Sequence, residues 1–264
     1  MGWFRLDPMV MALATVGLVA MMNGRRYVWP VVAGFGFKLW PIVLVAVMIL
    51  RRQFKDAAIA IGACLLMIAL WAWYSPEGFR LFLDYRKGDG FQIESFAGAL
   101  VLMAGGPIPT LQFGAVVVDD NGLEWVQVLL NVLTLAIPAV LCVGALIRRG
   151  KMNAVAFCGA LTTGLILSTR ILSPQYLLWI APMVVLLWPQ RRALGIAYCA
   201  ASWASVLVIA FYTQYALGNR LLGVVLIGRN LLLVYVLIEF CRCAWAGIVD
   251  EQSDADDTVP VLSR

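Results

Sequence analysis

Four cations in this sequence stand where their chemistry calls for a reason: Lys38, Arg86, Arg170 and Arg229. Arg229 lies inside the apolar run Leu221 to Ile238, and an ionisable residue at such depth is by default a functional one. Lys38 and Arg170 each sit at a break between two short apolar runs, while Arg86 lies in the longest hydrophilic stretch. Brought to one face of a membrane, with few acids inside the helices, such cations suit a lipid-linked phosphate or pyrophosphate. Arg in particular can fork two N–H donors onto phosphate oxygens. The structural alternative is that Arg170 and Arg229 tie down Glu94, Asp84 or lipid headgroups.

The hydrophilic stretch, residues 74–124, adds Glu77, Arg80, Asp84, Tyr85, Lys87, Asp89, Gln92, Glu94 and Ser95. A carboxylate there could act as a general base or bind a sugar, although no spacing singles one out. Trp71, Trp73 and Tyr74 precede it and read first as an interfacial aromatic belt, with sugar stacking as a second use. The sequence holds no Gly-rich phosphate loop, nucleophile elbow or metal-ligand helix motif. Its six cysteines (Cys64, Cys142, Cys158, Cys199, Cys241 and Cys243) fall in or beside apolar segments, and there is no histidine. They read as small buried residues rather than as metal ligands or disulfides, so neither a metal nor a cofactor is expected.

The elements that carry these residues must be membrane helices. Of 264 residues, 62% are hydrophobic and 13% charged, with a mean hydropathy of +0.88. An ordinary soluble domain is about 45–50% apolar and about 25% charged. The apolar runs are continuous rather than alternating with period 2, which favours helices over a barrel. The net charge of +5 comes from basic pairs beside apolar runs, a topology signal and not a nucleic-acid patch.

Those pairs are Arg25 and Arg26; Arg51, Arg52 and Lys55; Arg148, Arg149 and Lys151; Arg191 and Arg192; and finally Arg242. The positive-inside rule places each cluster in the cytoplasm. A single span between Arg26 and Arg51 would then put its ends on opposite sides. The run Gly34-Phe35-Gly36-Phe37-Lys38-Leu39-Trp40-Pro41 holds the residues that break helices, so it predicts a short hairpin lifting Lys38 to the outer face. A single span with a snorkelling Lys38 is the alternative. Between Lys151 and Arg191 the same reasoning predicts a second hairpin, 152–169 and 177–189, with Arg170 at its outer turn. Single spans are expected at 8–23, 57–73, 125–147, 193–213 and 221–241.

The expected fold is therefore all-α: a polytopic transmembrane helical bundle over residues 1–245, of about nine spans with each hairpin counted as two. Residues 74–124 become an extracytoplasmic loop. Within it, 96–104 is apolar but too short to span and is expected to re-enter or lie on the membrane surface. Asp119-Asp120-Asn121-Gly122 reads as a turn before the next helix. Residues 246–264, with Asp250, Glu251, Asp254, Asp256 and Asp257, are expected to form a disordered acidic tail in the cytoplasm. The first apolar run lacks a basic n-region and a cleavage site. An outer N-terminus without a signal leads to the expectation that further helices precede Met1.

Several short motifs now fall into order: Phe4-Arg5-Leu6-Asp7-Pro8; Arg25-Arg26; Phe37-Lys38-Leu39-Trp40-Pro41; Tyr85 followed by Gly90-Phe91-Gln92-Ile93-Glu94-Ser95; Ser173-Pro174-Gln175-Tyr176-Leu177-Leu178-Trp179; and Arg229-Asn230-Leu231. Together they resemble the pattern of GT-C glycosyltransferases, and among these the bacterial polyprenol-phosphate-mannose-dependent mannosyltransferases. The chain resembles the C-terminal two-thirds of such an enzyme. The resemblance implies a GT-C-like fold and transfer of a sugar, mannose by the family, from a polyprenyl-phosphate donor to a lipid or glycan acceptor outside the cytoplasmic membrane.

The resemblance also implies that Lys38, Arg170 and Arg229 face the donor phosphate, while Gln175, Tyr176 and the motif Gln92 to Ser95 line the cavity. The full substrate-binding set it implies is Lys38, Arg170, Gln175, Tyr176, Arg229, Tyr85, Arg86, Gln92, Glu94 and Ser95. Arg86 stands where the family motif has His, and Asp89 where it has Arg. The family's catalytic Asp belongs to a first outer loop, expected upstream of Met1, and Asp7 matches a later motif. Two other readings stay open: a non-catalytic relative that binds polyprenyl lipid or partners another membrane subunit, and a transporter with broken helices.

Overall fold

The computed structural model describes residues 7–25, 28–87, 90–106, 108–112, 115–119, 122–148 and 152–246. Phe4, Arg5, Leu6, Arg26, Asp89, Asp120, Asn121, Arg149, Lys151 and the acidic tail from residue 247 onward, all used above, lie outside the described residues.

Helix breakers cut the chain where the sequence predicts. α1 (Asp7–Met22) ends before Arg25, and α2 (Trp29–Phe37) starts with Pro30 in its first turn, where a missing N–H costs nothing. Lys38 follows in an extended conformation, its N–H bonded to the Gly34 carbonyl. A 3-10 turn (Trp40–Ile42) containing Pro41 then leads into α3 (Val43–Leu50). The second break is built alike. α8 (Ala154–Ser168), capped by the Asn153 side chain on Ala156 N, stops at an extended Thr169. Pro174 opens another 3-10 turn (Pro174–Tyr176), and α9 (Leu177–Leu187) follows. Both breaks thus fall within residues that Pro keeps out of a continuous helix.

Four helices are long and apolar enough to cross a membrane: α4 (Phe54–Tyr74), α7 (Glu124–Ile147), α10 (Arg192–Ala210) and α12 (Arg220–Ala246). The shorter apolar helices fill in around them. α8 is the axis of the bundle, packed against α12, α7, α9 and α3. It has no polar face, as a helix surrounded on every side should. α4 and α7 lie at the periphery, with 17% and 11% of their apolar windows buried, so they present Leu65, Leu66, Leu135 and Val140 outward. In water those surfaces would be an aggregation hazard; in lipid they are solvated. The chain is an all-α membrane protein.

The described residues between 76 and 123 hold regular secondary structure where a hydrophilic loop is expected. α5 (Pro76–Lys87) follows α4 after the single residue Ser75. Strands β1 (Phe91–Gln92), β2 (Thr110–Gln112) and β3 (Ala115–Val118) form an antiparallel sheet in the order β1-β3-β2, pairing Phe91 with Val118 and Leu111 with Val116. α6 (Phe96–Met103) covers the apolar stretch expected to re-enter or lie on the membrane, and it packs on α12, with Gly223 facing Met103. Phe91, Ile93, Ala99 and Val118 share a second core with Val208, Tyr215, Leu222 and Leu226. A short helix, α11 (Tyr212–Ala216), joins α10 to α12 and contributes Tyr215 to that core.

Candidate functional site

The second helix break meets this segment directly. The main chain of Gln92 donates to the Arg170 carbonyl at 3.1 Å, and the Arg170 guanidinium reaches the Gly90 carbonyl at 3.5 Å. Gly90 has φ +86°, a conformation that favours glycine, and a Cβ there would collide with the Val118 carbonyl. Ile93 N bonds Val116 O, and Ser95 caps α6 by accepting from Gly98 N at 3.0 Å. Gly98 is needed for that approach, because a Cβ would strike the Gln92 carbonyl. The result is a tight turn, Gln92 to Ser95, with all four residues buried.

Arg229 fastens the turn from below. It is 0% exposed, and its Nη2 donates to the Glu94 carbonyl at 2.9 Å. Its Nε and Nη1, like both amide atoms of the neighbouring Asn230, are buried without a hydrogen-bond partner. The Gln92 side chain bonds the Glu94 carboxylate, and Tyr215 donates its hydroxyl to the Ile93 carbonyl at 2.6 Å. Burial, and after it the nearby Glu94 carboxylate, push the Tyr215 phenol up, so it remains a donor. The alternative raised for Arg229, a tie to Glu94, is present as a main-chain bond. Asp84 pairs with Arg80 at 3.6 Å one helical turn away.

Two cavities matter here, one lined by the first helix break and one by this turn. The first, about 870 Å³, lies between α2, α3, α4, α8 and α9 and contains Lys38. Its aromatic wall is ordered: Trp40 stacks on Trp179 at 5.6 Å with a 14° interplanar angle, and Tyr176 lies 4.2 Å from Trp179. Trp71 and Phe82 close another side, their rings 5.1 Å apart. Lys38 is held by Asp7 at 3.7 Å, and the same carboxylate oxygen accepts from Trp179 Nε1 at 2.9 Å. The second cavity, about 920 Å³, is lined by Gln92, Glu94, Tyr198, Ser202 and apolar residues of α9, α10 and the sheet. Gln175 lines both.

The structure therefore sorts the residues singled out in the sequence. Lys38, Gln175 and Tyr176 share the first cavity; Gln92, Glu94 and Gln175 share the second. Ser95 and Arg229 support the wall from behind, and Arg170 braces it from the second helix break. Tyr85 and Arg86 belong to α5, but their side chains lie outside what the structure describes. Sequence reasoning did not single out Trp40, Trp179, Tyr215 or the Asp7–Lys38 pair. Trp40 and Trp179 sit inside the quoted motifs, but aromatic residues near a membrane boundary read first as a belt. The Asp7–Lys38 contact leaves no local signal, since it joins two separate helices.

The arrangement can hold an amphipathic ligand with an anionic group near Lys38 and a flat or apolar moiety against the stacked rings. This defines a class: a membrane helical bundle with two cavities that share the lining residue Gln175. No protein-family model matches the chain, and no curated protein or solved structure is detectably similar to it.

Proposed function

We propose that the chain is the membrane part of a GT-C glycosyltransferase, moving a sugar, mannose by its motifs, from a polyprenyl phosphate to a lipid or glycan acceptor. The observation that carries the reading is the Lys38 cavity. It combines one cation, an aromatic stack suited to a sugar face, and apolar walls suited to a polyprenyl tail. Transfer of this kind needs a carboxylate to take the acceptor's proton and fixed positive charge on the departing phosphate. Lys38 supplies charge at the first cavity, and Arg170 and Arg229 hold the turn that lines the second.

The topology belongs to the same proposal. About nine spans place the basic pairs in the cytoplasm and both helix breaks, with residues 76–123, on the extracytoplasmic side. The Arg148 guanidinium bonding the Trp245 carbonyl at 3.0 Å fits that picture, since it joins two expected cytoplasmic ends.

The test is binding of a farnesyl-phosphate sugar to the purified chain in nanodiscs, compared with Lys38→Gln. Loss of about one to two kcal/mol of affinity in the variant is expected for a charge-assisted contact. Equal affinity would sink the reading.

A further inference from the structure

The two cavities are lined by charged residues of opposite sign. Among the described residues, Lys38 is the one cation lining either of them and Glu94 the one carboxylate, and they fall in different cavities. The Glu94 cavity also opens sideways: Leu111, Trp203, Val206 and Ile209 line it while remaining largely exposed on the apolar face of the bundle. A ligand could therefore enter it from the lipid phase without passing the Lys38 cavity.

Resting on the transferase reading above, we infer that the Glu94 cavity is the acceptor site, taking an uncharged, hydroxyl-bearing amphiphile, with Glu94 as the residue that selects it. A carboxylate accepts from hydroxyls and repels a phosphate headgroup at close range. It offers about four acceptor positions, so the bond from Gln92 does not exhaust it. The Tyr198 and Ser202 hydroxyls donate to helix carbonyls, at Leu177 and Tyr198 respectively, which leaves their oxygens able to accept from a sugar. Gln175, facing both cavities, separates the headgroups of the two ligands by one side chain. Arg229 holds Glu94 by its main-chain carbonyl, which fixes where the residue stands in the cavity lining.

The experiment uses the full chain in nanodiscs and two photoprobes with the same diazirine in a ten-carbon tail, one an alkyl mannoside and one an alkyl phosphate. Insertion sites are mapped by mass spectrometry. The mannoside is expected to label α10, and the phosphate the segment Lys38 to Val43. Glu94→Gln keeps the main-chain bond to Arg229; it is expected to cut mannoside labelling of α10 about tenfold and to admit the phosphate probe there. Val206→Phe, a change on the lipid-facing rim, is expected to reduce mannoside labelling without touching Glu94.

Mannoside labelling of α10 that is absent, or unchanged in Glu94→Gln, overturns the inference, as does phosphate labelling of α10 in the unaltered chain. Failure of the phosphate probe at Lys38 with the mannoside result intact sinks the donor assignment instead, so the two failures are distinct.

Discussion

The guanidinium of Arg229 in α12 donates Nη2 to the main-chain carbonyl of Glu94, 2.9 Å away and 135 residues earlier in the chain. The contact binds the last helix to the turn that lines the second cavity. A buried cation used in this way positions another residue's main chain.

Arg229→Ala should therefore destabilise the protein and loosen the turn together. Removing one partner of a buried charged contact costs about 3–5 kcal/mol. Thermal unfolding in detergent should drop accordingly, and amide hydrogen exchange at Ile93 to Ser95 should rise more than in α8. Arg229→Lys should recover less than half, because an ammonium lacks the planar fork. Unchanged exchange in the turn would show that the contact does not hold it.

Asp7→Asn and Lys38→Gln should move anionic-lipid binding in opposite directions. The Asn keeps an acceptor for Trp179 Nε1 but removes the negative charge beside Lys38. Affinity for an alkyl phosphate should rise a few-fold in Asp7→Asn and fall about tenfold in Lys38→Gln. The stability change of Asp7→Asn should stay small, about 1 kcal/mol or less, since the Lys38 side chain is 33% exposed and solvent screens the pair. A shift of both variants in the same direction, measured by isothermal titration, would contradict the pairing.

Glycine substitutions should separate close approach from open helix surface. Gly98→Ala drives a methyl into the Gln92 carbonyl and should cost about 1–3 kcal/mol. Gly228→Ala in α12 meets nothing within 4 Å and should stabilise by up to about 1 kcal/mol. Thermal unfolding of the two variants side by side checks the contrast.

Tyr215→Phe should cost about 1–2 kcal/mol at neutral pH through the lost bond to Ile93. Burial, then Glu94, raises the phenol's folded pKa above its ordinary value of 10.0. Stability from this group is thus fully present below about pH 10 and is lost as pH rises beyond it toward the folded pKa. The unaltered protein should lose stability more steeply than Tyr215→Phe above pH 10. Parallel pH profiles would show that the hydroxyl does not couple to folding.

The segmentation was legible in the residues because its causes are local. Basic pairs, Pro30, Pro41 and Pro174, and the Gly34 to Pro41 run each act within a turn or two of helix, and the observed breaks fall there. α8 and α6 were legible as apolar segments only. Lipid tails are as apolar as leucine, so a membrane helix carries no polar stripe to say which neighbours it packs on. The small sheet was missed because strands of two to four residues, with exposed Thr110 and Leu111, carry too short a period to read.

Residue type and order alone determined that the chain is a membrane helical bundle, where its helices break, and which cations and carboxylates could matter. Tertiary structure decided their grouping: Lys38 with Asp7 and Trp179 at one cavity, Glu94 with Gln92 at the other, Arg229 behind the Glu94 main chain and Gln175 lining both cavities. The physical reason is range. Helix propensity, proline geometry and the distribution of positive charge act along the chain. A cavity is made by side chains far apart in sequence, and its charge depends on which of them packing turns inward.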